Sequence, residues 1–380
     1  MVLARGEGSL AFDVEGRRYV DLAGGHGVTV LGHGHPGVLA AITEQAGRFL
    51  HASSAYTSAP LVNVAERLCS LSFAERVFLC TSGAEANEAA FKLARRHFHL
   101  KGEGRFEIVA AIHGFHGRTL GTLSATGEER LRAGFAPLVP GFRYVTYGDL
   151  KSLAQALGPR TAAVILEPVQ GEAGVVPPPP GYLQAARVLC NQAGCLLVLD
   201  EVHSGMGRTG TLWAYQQEDV VPDVLTLAKG VANGLPLGAM LTTAALAESL
   251  GPGMHGSTFG GNPVSCAAAA VVLDQVAAPG FLEAVRAKGE VMRGYAERLA
   301  TAHPALVAQV RGRGLWMGME LKREAQPLVD AARQRGVLCH AGPSRVLRLA
   351  PALNIPDALL EEGFHALDLA AADVMQETRP

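Results

Sequence analysis

Lysine is scarce in this chain: six residues in 380, at positions 92, 101, 151, 229, 288 and 322. Each lysine therefore has to be accounted for individually. Net charge is also nearly absent, at −2, so neither nucleic acid nor a membrane surface is an expected partner. No apolar run reaches bilayer-spanning length. Residues 1–13 lack the basic start and apolar stretch of a secretory signal, and a cytoplasmic location is expected. None of the six cysteines forms a CxxC pair, which points to reduced, mostly buried thiols in a cytosolic enzyme. Internal repeats and low-complexity linkers are missing too. The 45 glycines and 21 prolines are spread along the chain, as tight loops between buried elements require.

What is present is an alternation of strand-length apolar runs with helical patterns. Expected strands are Val77–Cys80, Glu107–Ile112, Phe142–Tyr147, Ala162–Glu167, Cys195–Val202, Val224–Ala228 and Gly238–Thr242, apolar on both faces as strands covered by helices are. Helices are expected at Glu85–Leu100 and Pro180–Ala193. This predicts an α/β fold with a mainly parallel seven-stranded sheet. A large domain is expected over residues 46–275, with a smaller α+β domain built from residues 1–45 and 276–380. The latter takes short strands at Leu10–Val14 and Tyr19–Leu22, a helix from Pro36, long helices after residue 280, and short strands at Leu315–Leu321 and Val346–Leu349.

In open α/β sheets, ligands bind beyond the carboxyl ends of the strands. Lys229 stands there, between an apolar strand and the Gly-rich turn Gly230–Gly234. Partial desolvation at such a place frees an amine for covalent chemistry. Taken alone it reads first as a lysine snorkelling from a strand end, because buried reactive lysines are rare. Asp200 closes the run Cys-Leu-Leu-Val-Leu-Asp, where a carboxylate is costly unless it meets a cation such as a protonated pyridine nitrogen. Alone, it could cap a helix or bind a metal. Ser82, Gly83 and Ala84 follow a strand and open a helix, the arrangement of a phosphate cradle or of an ordinary N-cap. Phe115 offers a ring for stacking on a planar cofactor, and Arg118 a fork for a carboxylate. His113 and His116 lack the companions of a metal site, and loop hydrogen bonding accounts for them; no metal is expected. The segment Gly32-His-Gly34-His-Pro-Gly37 matches GxGxxG after Val28–Leu31, but no acid follows about twenty residues later, so it reads as a tight loop. The order of cradle, aromatic, acid and lysine along the chain is what gives these residues joint meaning.

That order closely resembles the class III aminotransferases of fold type I. The matching strings are Leu31-Gly-His-Gly-His-Pro36, Ser82-Gly-Ala-Glu-Ala-Asn87, Phe115-His-Gly-Arg118, Glu167-Pro-Val-Gln-Gly-Glu172, Asp200-Glu-Val-His203, Gly205-Met-Gly-Arg-Thr-Gly210, Leu227-Ala-Lys229 and His255-Gly-Ser-Thr-Phe-Gly-Gly-Asn-Pro263. The similarity runs from Gly6 to Pro351 and is strongest to the branch acting on acetylornithine and its relative in lysine biosynthesis. The resemblance implies pyridoxal 5'-phosphate as cofactor. Gly83 and Ala84, with Ser82, hold its phosphate, joined by Thr258 from a neighbouring subunit. Phe115 and Val202 cover the ring, and Asp200 pairs with its nitrogen. His203 faces the phenolic oxygen, and Lys229 tethers the aldehyde and carries the proton. Arg118 and Ser257 contact the acylated donor. Arg348 takes the α-carboxylate of glutamate, and Glu172 neutralises that arginine when a terminal-amine donor is bound. A homodimer with shared sites is implied, with 2-oxoglutarate as acceptor.

Three departures carry expectations of their own. His203 stands where the family usually has Gln, which adds a pH sensitivity. Ala173 stands where glycine is usual beside Glu172, which stiffens the gate. The stretch before Gly6 is short. Rival donors are an aminoadipate semialdehyde derivative on an amino-group carrier protein, free ornithine and 4-aminobutyrate. Rival activities are racemisation or aminomutation on the same fold, and a cofactor-free binding homologue.

Overall fold

The computed structural model describes residues 1–53, 55–342 and 345–377. Its centre is one sheet of seven strands in the order Arg76–Cys80, Gly238–Thr242, Val224–Leu227, Leu196–Asp200, Thr161–Leu166, Glu107–Ala111, Phe142–Val145. Every pairing is parallel except those of Gly238–Thr242, which runs antiparallel to both neighbours. All seven expected strands are present, with ends shifted by a residue or two. The last residues of the expected Cys195–Val202 strand fall outside it: the strand stops at Asp200, and Val202 and His203 lie in the turn beyond.

The sequence makes this sheet by alternation. Ile108, Ala110, Ala163, Ile165 and Val198 pack on the side of helix Gly83–Leu100, together with its Ala89, Ala90 and Phe91. Their neighbours Val109, Val164, Leu166, Leu197 and Leu199 pack on the side of helix Tyr182–Ala193, with Leu183 and Ala186. Both faces are thus removed from water, as a sheet covered on both sides demands. Helix Gly83–Leu100 comes close because its inward positions are small: Ala86, Ala89, Ala90 and Ala94 are fully buried.

The two chain ends meet in a second sheet. Leu3–Glu7, Leu10–Asp13 and Arg18–Asp21 form an antiparallel meander, and Arg18–Asp21 pairs in parallel with Val337–Leu338. A third sheet joins Val307–Arg313, Trp316–Leu321, Val346–Leu349 and His340–Ala341. It carries Trp316 and Arg348 toward the large sheet. Strand Val307–Arg313 was not expected, because its sequence VAQVRGR is half polar and gives no apolar run. Segment 28–31, ahead of the GxGxxG match, is a series of turns. Cys69 is half-buried and the other cysteines are buried free thiols. Among the described residues, no single helix is long and apolar enough to cross a membrane.

Candidate active site

The carboxyl ends of the parallel strands converge on a cavity of about 420 Å³, lined by Ser82, Gly83, Ala84, Phe115, Asp200, Val202, His203 and Lys229 among others. Eight of the residues singled out from sequence therefore share one wall-to-wall space, and Arg118 and Glu172 stand at its edge. Ser82 caps helix Gly83–Leu100, its hydroxyl accepting from the Glu85 amide at 3.2 Å. The amides of Gly83 and Ala84 open this helix and have no intrahelical partner. Glycine is needed at 83: a Cβ there would lie 2.8 Å from Cγ2 of Val202.

Asp200 is buried and tightly held. Its Oδ2 accepts from Asn87 Nδ2 and from His116 Nδ1, each at 2.8 Å, and its Oδ1 accepts the Val202 amide at 3.0 Å. Asn87 is oriented in turn by the Thr226 hydroxyl, which donates to its Oδ1 at 2.8 Å. Asn87 and His116 hold this aspartate in place, and neither was read from the sequence as a site residue. The available signal was Asn87 in the alanine-lined face of a helix, where an amide is stranded unless it has a polar task. His116 lies in a loop and is hydrogen-bonded, as expected, but its ring is buried and its partner is the site's aspartate.

Lys229 begins a short 3-10 turn with a φ of 46°, in the region that side-chain-bearing residues rarely adopt. Its amine faces the cavity. Burial holds it below the usual lysine range, and the carboxylates of Glu172, Asp200 and Glu167 oppose that shift without cancelling it. The turn is braced by Asn233, whose Oδ1 accepts the Leu31 amide at 2.8 Å and whose Nδ2 donates to the Gly32 carbonyl at 2.9 Å. The GxGxxG segment is thus a tight loop supporting the lysine turn, with Gly32 and Gly34 at φ of 79° and 62°.

A second cavity, of about 1040 Å³, meets the first at Phe115, Arg118 and Glu172. At their junction Arg348 Nη1 pairs with Glu172 Oε1 at 2.9 Å. Burial pushes the Glu172 carboxyl up, but Arg348 beside it wins and holds it below the usual range. The Arg118 guanidinium lies 5.3 Å from the Phe115 ring centre. Ala173 lines the second cavity, between Gly171 and Gly174.

Burial first, then Lys229 and Arg348 nearby, hold the His203 ring well below the usual histidine range, a direction that runs against the pH sensitivity expected of it. Both its ring nitrogens are buried without a partner, and the ring leans on Trp316 at 4.0 Å. Ser257 and Thr258 are not among the residues lining this chain's own cavity, and Thr258 was expected to serve a neighbouring subunit: Ser257 Oγ donates to Glu85 Oε1 at 3.4 Å and Thr258 is exposed. Glu167, also overlooked as a candidate, is buried at the cavity wall.

Comparison with known proteins agrees with this geometry. Residues 1–371 match the family model described as Aminotransferase class-III. The chain belongs to the class III aminotransferases. The acetylornithine aminotransferase of Pseudomonas putida is 46% identical, covering 97% of this chain and 92% of its own. That of Mycobacterium tuberculosis is 49% identical, covering 96% and 90%. The ornithine aminotransferase of Toxoplasma gondii, a solved structure described with partial occupancy of pyridoxal phosphate in its active site, superposes with a TM-score of 0.95 at 32% identity, covering 99% of this chain and 91% of its own. This class III aminotransferase is a pyridoxal-phosphate-dependent transaminase of fold type I. The residues present fit that cofactor: a helix N-terminus that glycine keeps open, a buried carboxylate fixed by three donors, unpartnered nitrogens on His203, and a lysine of lowered basicity.

Proposed function

We propose that this enzyme moves the terminal amino group of N2-acetyl-L-ornithine to 2-oxoglutarate, giving N-acetylglutamate 5-semialdehyde and glutamate in arginine biosynthesis; curated relatives named acetylornithine aminotransferase support the choice of donor. The observation that carries this reading is the Glu172–Arg348 pair at 2.9 Å across the mouth of the lysine cavity. Two donors must use one site. Glutamate presents a carboxylate beside its reacting amine, whereas a terminal-amine donor presents only methylenes there. An arginine that is free for the first and neutralised for the second serves both.

Pyridoxal phosphate, when bound, supplies an aldehyde and an electron-accepting ring. Gly83 and Ala84 would hold its phosphate with their amides, with Ser82 beside them. Asp200, locked by Asn87, His116 and the Val202 amide, would pair with the ring nitrogen. Phe115 and Val202 would cover the ring. His203 would face the phenolic oxygen. Lys229 would hold the aldehyde and move the proton at the substrate carbon, which its lowered basicity suits. Arg118 and Ser257 contact the donor's acylated amino-acid end. Thr258 and Ser257 complete the site of a second copy, so the working unit is a homodimer. In support, both lie outside their own chain's cavity, on a segment that also exposes Met254 and Phe259. The enzyme works in the cytoplasm.

A donor panel with 2-oxoglutarate as acceptor tests the reading. Acetylornithine should give the highest kcat/KM. A carrier-protein-bound amine of the lysine pathway, free ornithine or 4-aminobutyrate outrunning it by about tenfold, a difference worth roughly 1.4 kcal/mol, would replace it.

A further inference from the structure

Glu167 has no task in the chemistry above, yet it is a buried carboxylate at the cavity wall. It follows strand Thr161–Leu166 directly. Its two oxygens are spent on backbone: Oε1 accepts the Phe115 amide at 2.9 Å, and Oε2 accepts the Gly171 amide at 3.1 Å. These amides belong to different loops. One carries the Phe115 ring into the cavity; the other leads straight into Glu172, the partner of Arg348.

The gate loop is fixed from further directions. Gly171 is gripped at its other end, where its carbonyl accepts from Arg348 Nη1 at 3.4 Å. Nothing can be added to it inward, since a Cβ would lie 2.8 Å from Trp316 and 2.9 Å from His203. Gln170 exchanges two backbone hydrogen bonds with Val176, both at 2.9 Å, closing the base of the loop. Its side chain donates to the Ile112 carbonyl at 3.0 Å, a second tie to the Phe115 side.

The chemistry explains why an acid stands here. A carboxylate offers acceptors on both oxygens, whereas glutamine offers one and turns N–H groups toward the other amide. The fold bears a cost for this choice: burial, with Asp200 nearby, pushes the Glu167 carboxyl up to about 7 against the pull of His116 and the two amides. The other polar groups facing it are the Lys229 amine and the Tyr147 hydroxyl.

We infer that Glu167 is a positioning residue, whose carboxylate clasps the Phe115 loop to the Gly171–Glu172 loop so that the Glu172–Arg348 pair opens by rotation of the Glu172 side chain from a fixed backbone. This rests on the gate proposed above, but not on the identity of the donor.

Hydrogen exchange of the holoenzyme, followed by mass spectrometry over segments 113–118 and 169–174, tests the clasp. E167Q should speed at least one segment about tenfold, the loss expected for a hydrogen bond to a charged group, whereas E172A should leave both at the wild-type rate. Half-reactions separate positioning from loss of folded enzyme: E167Q should change the ratio of kcat/KM for glutamate and for the terminal-amine donor, while mere unfolding lowers both alike. Wild-type exchange in both segments of E167Q, or an unchanged ratio, overturns the inference. If E167Q does not fold, the wild type decides. Saturating glutamate should leave 169–174 protected, and deprotection there shows that the backbone itself moves. A failed donor panel with a positive exchange result would remove the substrate reading and leave the clasp.

Discussion

Removing the Glu172 carboxylate should shift the balance between the two amino donors. At 2.9 Å and an effective dielectric of about 20, the Glu172–Arg348 attraction is about 6 kcal/mol before desolvation. Arg348 is nearly buried, but the Glu172 side chain is 35% exposed, so solvent takes back much of that. A charge-assisted hydrogen bond in this setting is worth roughly 2 kcal/mol net. Glutamate must displace Glu172 to reach Arg348, so E172A should raise its kcat/KM by up to about 30-fold. The terminal-amine donor instead finds an arginine with no counterion, and its kcat/KM should fall by a comparable factor. E172Q keeps a hydrogen bond without the charge and should lie between. Stopped-flow half-reactions, followed by cofactor absorbance with each donor alone, measure both numbers. The pair's charge persists at working pH: Glu172 is held below its ordinary 4.5, so the interaction is present above that value and is lost only as pH falls through the lowered one. A donor ratio unchanged within about threefold, against the 30-fold or more expected, would show that this pair does not gate.

Other substitutions probe the rest of the site. K229A should lower turnover by at least about 1000-fold, and borohydride should then leave no cofactor covalently attached; full turnover by this variant contradicts the assigned role. G83A drives a methyl group to within 2.8 Å of Val202, and titration of the resolved enzyme should show cofactor affinity at least about tenfold weaker. H203Q should leave the pH dependence of kcat/KM superimposable on wild type between about pH 5.5 and 8, because burial holds His203 well below the usual histidine range; disappearance of an acid limb would mean that it titrates. Glu201 is a different kind of group: burial pushes it up to about 7, although its oxygens accept the Ala214 and Tyr215 amides at 2.6 and 2.8 Å. A folded pKa above the unfolded one gives stability that is full below about 4.5 and is lost as pH rises through about 7, so E201Q should flatten roughly 3 kcal/mol of decline in urea denaturation across that window.

The strands were legible because burial on both faces leaves no alternative to runs of Val, Ile, Leu and Ala; Thr161–Leu166 and Leu196–Asp200 are buried at every position. Val307–Arg313 was not, since it lies outside the large sheet with exposed Ala308 and Gln309, and carries no such signature. The reactive residues were legible for the opposite reason. A charged side chain at the end of an apolar strand is expensive, and Asp200 and Lys229 are conspicuous wherever the surrounding sequence pays no attention to polarity. What stayed hidden were the groups whose purpose depends on distance. His116 and Asp200 are 84 positions apart, and Glu167 and Phe115 are 52 apart, so no local spacing announces them.

That difference reflects how the site is made. The chemistry rests on a few residues that single elements deliver, each at the end of one strand or the start of one helix. Their usefulness rests on polar groups borrowed from other elements: Asn87 and His116 for Asp200, Asn233 for the lysine turn, Glu167 for two loops at once. Burial pushes the Glu167 and Glu201 carboxyls up to about 7 even though each accepts two backbone amides. Asp200 sits in the same sheet, with three donors aimed at its oxygens that fix where its carboxylate points. Replacing Asn87 or His116 should therefore act on the cofactor's ring through Asp200, without either residue touching a substrate.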